Sequence, residues 1–244
     1  TRFLVISDTH GEEFPYIKRP SDSVDVVIHC GDLTQDSRLE EFHTAVRLLK
    51  ALKAPLKLVI AGNRDFSLNA SLIKRYASFG QARQVFDDAA SDGVLFLDEG
   101  IHHFDLANGA HLTVYASPYT PFRSAWGFQY DRQVGHNWDI IQPVDIAITH
   151  GPPKGILDMT YSWKRIGCPG LFEAIAKAKP PMHCFGHVHE SWGAKLIKWQ
   201  DPMPELPLHS TAIKGEESLV IETLTTPSPK RRDRLKALGR KEYR

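Results

Sequence analysis

The sequence predicts an α/β fold in which two packed, mixed β-sheets are flanked by helices. Continuous apolar runs such as 2–6 and 25–29 are typical of strands covered on both faces. Between such runs, 39–53 carries apolar residues at helical spacing, and this alternation of strand and helix indicates a parallel sheet. Later runs are shorter, and Asn108-Gly109 between two of them is a strong hairpin signal. A second sheet with antiparallel pairing is therefore expected.

The spacing of apolar residues also predicts the individual elements. Strands are predicted at 2–6, 25–29, 56–60, 94–97, 101–106, 111–116, 144–148 and 182–185. Further antiparallel strands are predicted at 192–199, 206–212 and 218–224. Helices are predicted at 39–53, 70–79 and 167–179, and the second of them is expected to stop at Gly80. The irregular, aromatic stretch 117–137 is expected to form a long functional or covering loop.

The composition is that of an ordinary globular protein with a basic end. Of the 244 residues, 42% are hydrophobic and 24% are charged. Residues 226–244 hold eight Lys and Arg against Asp233 and Glu242, so they carry +6 and the rest of the chain carries −5. We predict one domain at 1–225 and a basic, flexible tail at 226–244, with a nuclear localisation signal or a patch that binds anionic surfaces as the alternative for the tail. The acidic body favours a cation site, and stable nucleic-acid binding is not expected.

The sequence gives no indication of a membrane or secreted protein. No apolar stretch approaches the roughly 18 residues of a membrane helix, so no membrane partner is expected. A strand is predicted at the first residues, with no charged and then apolar stretch before it, so secretion is not expected unless a leader has been removed. The cysteines, Cys30, Cys168 and Cys184, form a sparse and odd set that favours reduced thiols. These features predict a cytoplasmic protein, with nuclear entry through the basic tail left open.

A Gly-His-x-His turn follows the strand predicted at 182–185. Side chains at i and i+2 of an extended chain point the same way, so His187 and His189 should project together beside Gly186. Four further strand ends carry ligand-type side chains: Asp8-Thr9-His10, Gly31-Asp32, Gly62-Asn63 and Thr149-His150. Each stretch alone would more often be a turn, a helix cap or a surface histidine. Together, imidazole, carboxylate and amide ligands indicate two divalent or mixed-valence metal ions.

The five stretches, in this order, resemble the calcineurin-like metallophosphoesterases. The pattern of that family is D-x-H, G-D, G-N-H-[DE], a lone H after a strand, and G-H-x-H. The segment 149–190, together with SPYTPFRSAWGF at 117–128, is similar to the eukaryotic metallophosphoesterase-domain-containing subgroup, whose members act on nucleotide phosphodiesters. The resemblance covers residues 2–224 and implies the four-layer sandwich of the family.

The resemblance also implies a role for each matching residue. One metal ion (Mn, Fe or Zn) is expected on Asp8, His10, Asp32 and His189, and the second on Asp32, Asn63, His150 and His187. Asp32 would then bridge the two ions. The catalytic residues expected are Asp32, Asn63 and His150, which match the family pattern, and Arg64, which is included because its guanidinium can bind phosphate. A hydroxide that bridges the metal ions is expected to attack the phosphorus.

One position departs from the family pattern, because Arg64 stands where the family has histidine. Arginine stays protonated, so Arg64 cannot give a proton to the leaving group, but its guanidinium can bind two phosphate oxygens. We expect Asp65 either to orient Arg64 or to start a helix. A nucleotide base could stack on one or two of the aromatic side chains near the motifs, although such residues more often belong to the core. They are Tyr119, Phe122, Trp126, Phe128, Tyr161, Trp163 and Trp192.

The sequence therefore predicts a dinuclear metal-dependent phosphodiesterase. Its expected partner is a small-molecule phosphate ester of nucleotide type, cyclic nucleotides included. Two alternatives stay open: a phosphomonoesterase or protein phosphatase, and a metal- and nucleotide-binding protein that turns over little because Arg64 replaces the family histidine. A homodimer is compatible with the sequence.

Overall fold

The computed structural model describes residues 1–13, 22–72, 79–122, 124, 126–140 and 143–223, so the tail predicted at 226–244 lies outside it. The chain divides into two units. The first unit comprises Thr1–Gly151 and Ala178–His187. The second comprises Pro152–Lys177 and, within the described chain, 188–223.

Short strands and a few helices make up the described chain. The strands are β1 (Phe3–Ile6), β2 (Val26–His29), β3 (Leu56–Val59), β4 (Val94–Phe96), β5 (Gly100–Asp105), β6 (His111–Ser117), β7 (Thr120–Pro121), β8 (Gln129–Tyr130), β9 (Ile146–Thr149), β10 (Met182–Cys184), β11 (Gly193–Leu196) and β12 (Leu219–Thr223). The α-helices are α1 (Leu39–Lys50), α2 (Phe79–Ala89) and α3 (Pro169–Ala178). Within these described ranges, no helix has the length and apolar character needed to cross a bilayer.

The first sheet contains β1 to β4 in that order, and all of its strand pairs are parallel. Val26, Val27 and Ile28 of β2 are fully buried, as expected for a central strand that is covered on both faces. Helices α1 and α2 contribute to the core on one face of this sheet, where the rings of Phe42 and Phe86 meet edge to face at 6.0 Å. Burial of each such side chain contributes about 1.5–3 kcal/mol to stability.

The second sheet has the order β10-β9-β6-β5 and is mixed. Its β9 pairs in parallel with both β10 and β6, whereas β5 and β6 are antiparallel. Ile28 and Leu58 of the first sheet share one buried cluster with Val114 and Ile148 of the second, so the two sheets pack face to face. The predicted α/β fold of two packed sheets with flanking helices is confirmed.

The hairpin predicted at Asn108-Gly109 is also confirmed. It joins the antiparallel strands β5 and β6. The backbone N–H of Gly109 donates to the carbonyl oxygen of Leu106 at 2.9 Å, and Ala110 accepts the N–H of Leu106 at 2.8 Å. Gly109 has a φ of 83°, a conformation in which a residue without Cβ is favoured.

The predicted stop of a helix at Gly80 is wrong, and most of the helix predicted at 70–79 falls on residues that the structure does not describe. Ala70–Leu72 forms one 3-10 turn, 73–78 lies outside the described chain, and α2 begins at Phe79. Gly80 does not stop a helix, because its backbone lacks the left-handed conformation of a C-cap glycine and it lies in the first turn of α2. The buried side chains of α2 do have helical spacing: Ala82, Val85, Phe86 and Ala89.

In the second unit, β11 and β12 form an antiparallel pair, as predicted for 192–199 and 218–224. The strand predicted at 206–212 is wrong. The backbone N–H groups of Thr211 and Ala212 both donate to the carbonyl oxygen of Leu208, at 3.0 and 2.8 Å, and so close a turn. Pro207 also lacks the N–H that a strand ladder needs.

Candidate metal centre

Five strands of the first unit are followed by ligand-type side chains. Asp8, Asp32 and Asn63 follow β1, β2 and β3, and His150 and His187 follow β9 and β10. The first three strands are parallel neighbours, and so are the last two. The carboxyl ends of parallel strands meet at one edge of a sheet, so each group of side chains gathers there.

Four of the predicted ligands have a left-handed backbone conformation. The φ angle is 54° at Asp8, 49° at His10, 52° at Asp32 and 71° at His187. Such a conformation costs a residue with a side chain about 1–3 kcal/mol, so surrounding contacts must hold it. The backbone N–H of Asp8 donates to the carbonyl oxygen of Gly31 at 2.9 Å. The backbone N–H of His10 donates to the backbone carbonyl oxygen of Asp32 at 3.1 Å. Strain concentrated in this way is typical of functional sites.

Asp32, His150 and His187 each offer one ligand atom within 4.8 Å of the others. Asn63 joins them, because its Oδ1 lies 3.1 Å from Nε2 of His150. The same Nε2 is 3.4 Å from Oδ1 of Asp32. These donors are almost fully buried: Asp32, Asn63 and His150 are 3%, 8% and 0% exposed. The four residues expected on the second metal ion are thus brought together, and their oxygen and nitrogen donors suit a divalent cation.

Asp32 and His150 also interact electrostatically. Burial is the largest single effect on each group and favours its neutral form, but the charge of the partner and the hydrogen bonds to each group together outweigh it. The pKa of His150 is therefore raised to about 9, and the pKa of Asp32 is lowered. A ligating histidine has to be neutral, so a bound metal ion would replace the imidazolium as the positive charge beside Asp32.

Asp8 and His10 provide a second pair of donors, with ligand atoms within 4.8 Å of each other. The Nδ1 atom of His10 lies 3.3 Å from the carbonyl oxygen of Thr34, which can only accept, so Nε2 of His10 is left for a ligand. The carboxylate of Asp8 accepts the backbone N–H of His187 at 3.0 and 3.1 Å. His189 begins the 3-10 helix His189–Ser191 of the second unit, and its assignment as a metal ligand stays a prediction.

Two glycines leave the space that these side chains occupy. A Cβ atom on Gly62 would lie 2.3 Å from both the backbone N and Oδ1 of Asp32, and 2.7 Å from Cε1 of His150. A Cβ atom on Gly186 would lie 2.3 Å from Oδ2 of Asp8 and 2.0 Å from Oγ of Ser7. Both positions therefore need glycine, and the donor set fits around them as a metal site requires.

Asp65 connects the loops that carry Asp32 and Asn63. Its carboxylate accepts the backbone N–H groups of Leu33, Thr34 and Gly62 at 3.1, 2.9 and 2.8 Å. Burial raises the pKa of this carboxyl to about 7. Asp65 directly precedes the 3-10 helix Phe66–Leu68, but its side chain does not cap that helix. Within the described chain its carboxylate does not pair with the side chain of Arg64, so the expectation that it orients Arg64 is wrong.

Arg64 lies directly beside the proposed bridging carboxylate. Its backbone N–H donates to Oδ1 of Asp32 at 2.8 Å, and its Nη1 donates to the carbonyl oxygen of Gln35 at 3.3 Å. The guanidinium carbon lies 3.6 Å from the ring centroid of Trp126. Trp126, one of the aromatic residues considered for base stacking, therefore packs on Arg64.

The other aromatic residues have several different environments. Phe128 belongs to the core, and Tyr119 stacks on His136 with ring centroids 4.5 Å apart. In the second unit, Tyr161 and Trp163 are 82% and 84% exposed. Phe122 of the first unit and Trp192 of the second are also exposed.

A supporting contact that the sequence did not reveal comes from His29. Its Nε2 lies 3.0 Å from Oγ1 of Thr9, and its Nδ1 accepts the N–H of Gly31 at 3.3 Å. Burial lowers the pKa of His29 to about 4, so the ring is neutral and links the two ligand loops. A histidine that ends a fully apolar strand is a weak sequence signal for this role.

Comparison with known proteins identifies the family. The model of the calcineurin-like phosphoesterase family matches residues 1–191. The chain belongs to the calcineurin-like phosphoesterases. The predicted resemblance is thereby confirmed, and the chemistry of this family is metal-dependent phosphoester hydrolysis.

Individual relatives agree with the family assignment. This chain is 33% identical to human metallophosphoesterase domain-containing protein 1 over 204 residues, which cover 79% of this chain and 62% of that protein. It is 31% identical to a UPF0046 protein of Caenorhabditis elegans over 214 residues, covering 79% of this chain and 52% of that protein. The chain thus spans little more than half the length of these relatives. The crystal structure of phosphopantetheinyl hydrolase from Mycobacterium tuberculosis has the same fold, with a TM-score of 0.52 at 14% identity, over 82% of this chain and 86% of that one.

Proposed function

We propose that this chain hydrolyses phosphodiesters of nucleotide type, cyclic nucleotides included, with two metal ions. The observation that carries this proposal is the convergence of buried Asp32, Asn63 and His150 with partly buried His187 at strand ends. Asp32 would be shared between the two ions. Asp8, His10 and His189 would be the remaining ligands of the other ion. Metal ions bound in this way act as Lewis acids and lower the pKa of water.

The chain's own groups would position and neutralise the phosphate. The guanidinium of Arg64 can donate hydrogen bonds to phosphate oxygens and stabilise the charge that grows on them in the transition state. The imidazole of His150 keeps a fixed orientation, because its Nδ1 is 2.8 Å from the carbonyl oxygen of Cys30. Arg64 supplies no proton to a leaving group, so diesters with acidic leaving groups should be the best substrates.

Reconstitution with metal ions tests the proposed function. Protein stripped of metal is loaded with Mn²⁺, Fe²⁺ or Zn²⁺ and assayed with bis(4-nitrophenyl) phosphate, 4-nitrophenyl phosphate and 2′,3′-cyclic AMP. We expect metal-dependent turnover of the diesters and little turnover of the monoester. A preference for the monoester would replace this proposal with a phosphomonoesterase. Bound metal and bound AMP without turnover would indicate the nucleotide-binding alternative.

A further inference from the structure

The segment around Trp126 is fixed on the loop that carries Asn63 and Arg64. The backbone N–H of Gly127 donates to the carbonyl oxygen of Asn63 at 3.0 Å. A Cβ atom on Gly127 would lie 2.7 Å from Cα of Phe66, so the two backbones touch. The rings of Phe66 and Trp126 meet edge to face at 6.3 Å. The ring of Trp126 and the backbone of the residue that follows it are therefore both in contact with the loop of Asn63 and Arg64, and Trp126 cannot move away without breaking these contacts.

The segment is also braced within itself. The backbone N–H of Trp126 donates to Oγ of Ser124 at 3.2 Å, and that hydroxyl donates to Oε1 of Gln129 at 2.7 Å. The N–H of Ser124 donates to the same oxygen at 3.1 Å. Gln129 lies in the short strand β8, which pairs with β7. The position of the indole ring thus depends on this polar brace as well as on packing.

The guanidinium of Arg64 is constrained by this ring. One face lies over Trp126, at 3.6 Å from the ring centroid, and Nη1 donates to the carbonyl oxygen of Gln35. The backbone of Arg64 is held by Asp32 at 2.8 Å. Stacking occupies a face of the planar group and leaves its N–H edges able to bind phosphate oxygens. An arginine side chain without such a ring would sample many rotamers, which reduces the time it spends in a binding orientation.

We propose that Trp126 is the positioning residue that holds the guanidinium of Arg64 in the orientation that binds the phosphate of the substrate. This inference rests on the proposed function, in which Arg64 binds phosphate. A longer, flexible side chain in place of the family histidine needs a platform, and the ring of Trp126 provides it. Trp126 contacts the guanidinium of Arg64, and in this proposal it acts on the phosphate only through Arg64.

A double-mutant cycle tests this dependence with two measurements. Binding of inorganic phosphate to the Mn²⁺-loaded protein is measured by calorimetry, and kcat and KM are measured with bis(4-nitrophenyl) phosphate. Trp126→Leu should weaken phosphate binding and lower kcat/KM by about 3- to 30-fold, the range of a cation–π contact. Trp126→Phe should lose less, because phenylalanine offers a weaker aromatic face. In an Arg64→Ala background, Trp126→Leu should change neither quantity by more than about twofold.

The control is Trp138→Leu, which removes a partly buried tryptophan of the same unit that packs on Tyr130 and His136. It should leave phosphate binding unchanged, since Trp138 makes no contact with Arg64 in the described chain. Equal losses for Trp126→Leu with and without Arg64 would overturn the proposal and leave Trp126 a structural residue. Should Trp126→Leu fail to fold, the same cycle is completed with Trp126→Phe.

The result also separates this inference from the proposed function. The parent protein could cleave no diester while Trp126→Leu weakens phosphate binding only when Arg64 is present. That result would refute the proposed phosphodiesterase activity and support the positioning role of Trp126. The parent protein could cleave diesters while the effects of Trp126→Leu and Arg64→Ala on phosphate binding and kcat/KM are additive. That result would support the proposed activity and refute the positioning role of Trp126.

Discussion

The Nδ1 atom of His150 lies 2.8 Å from the backbone carbonyl oxygen of Cys30, and this contact decides which ring nitrogen faces Asp32. A carbonyl oxygen only accepts, so Nδ1 carries the proton in the neutral ring and Nε2 is left as the metal donor. Cys30 directly follows β2 of the first sheet, and His150 follows β9 of the second. The packing of the two sheets therefore sets the orientation of this ligand.

We predict that Asp32→Asn and His150→Ala each abolish hydrolysis and lower metal content while the fold is retained. Asn is a weaker ligand than the carboxylate that both metal ions would share, and the alanine removes a nitrogen donor at the centre of the group. Metal content by elemental analysis should fall below two ions per chain, and kcat should fall by about 10³-fold or more. Circular dichroism should stay unchanged, and His43→Ala on the exposed side of α1 serves as the control. An Asp32→Asn protein with two metal ions and the parent rate would contradict the dinuclear assignment.

The glycines of the site give a second prediction. Gly62→Ala would place a Cβ atom 2.3 Å from Oδ1 of Asp32, so the carboxylate or the loop must move. We expect weaker Mn²⁺ binding and a loss of about 1–3 kcal/mol in the free energy of unfolding. Gly80→Ala in α2 is the matched control, since nothing lies within 4 Å of its Cβ position and alanine favours the helix by about 0.5–1 kcal/mol. Calorimetric titration and urea unfolding of both variants would test this, and equal Mn²⁺ affinity in Gly62→Ala and the parent would refute it.

The ligand loops could be predicted from the sequence because each one ends an apolar run that reads clearly as a buried strand. Asp32 follows such a run in the first sheet and His150 follows one in the second. Parallel pairing within each sheet brings the carboxyl ends of its parallel strands to one edge of that sheet. The stacking of Arg64 on Trp126 could not be predicted, since it joins residues that are far apart in the sequence and depends on where the ring of Trp126 lies. The left-handed backbone of Asp8 could not be predicted either, because Asp is enriched in that conformation but most Asp residues do not adopt it.

The helix at 70–79 shows a different limit. Glycine often ends helices, which predicts a stop at Gly80. A C-cap glycine needs a left-handed backbone, however, and tertiary structure decides whether a glycine adopts it. The turn at 206–212 shows the same limit for strands. Its alternating apolar residues suit a strand, but Pro207 and the hydrogen bonds to Leu208 favour a turn.

A third prediction concerns stability at low pH. The ring of His183 in β10 lies with Nε2 2.8 Å from Oγ1 of Thr149, and burial lowers its pKa to about 3. Between this value and the unfolded pKa of about 6.5, the unfolded chain binds a proton that the folded chain does not. Stability should therefore fall as the pH is lowered through 6.5. His183→Gln should remove this contribution. The free energy of unfolding should then fall by about 1 kcal/mol less than in the parent between pH 7 and pH 5, a reduced figure because His183 is only partly buried.

Urea unfolding in EDTA at both pH values measures this difference. His43→Gln, at an exposed position of α1, is the control and should keep the full pH dependence of the parent. Identical pH dependence in His183→Gln and the parent would show that His183 takes up its proton without unfolding.

The last prediction concerns the leaving group. Arg64 stands in place of the family histidine and supplies no proton, so hydrolysis should slow steeply as the pKa of the leaving group rises. Aryl diesters should turn over fastest, and alkyl or nucleoside diesters, 2′,3′-cyclic AMP included, slowly but measurably above the rate without metal. Arg64→His should improve the poor leaving groups selectively, by about 10–100-fold, because histidine can act as a general acid. Arg64→Ala should slow every substrate by a similar factor, because the lost phosphate contact is common to all of them.

Rate constants for a series of diesters with graded leaving groups, measured for the parent and both variants, decide the role of Arg64. The slope of log kcat/KM against leaving-group pKa should be steep in the parent, shallower in Arg64→His and parallel to the parent in Arg64→Ala. Metal content should be equal in the three proteins, since the side chain of Arg64 is not among the proposed ligands. A flat slope in the parent that Arg64→His leaves unchanged would mean that another group already protonates the leaving oxygen, and phosphate binding would then be the whole contribution of Arg64.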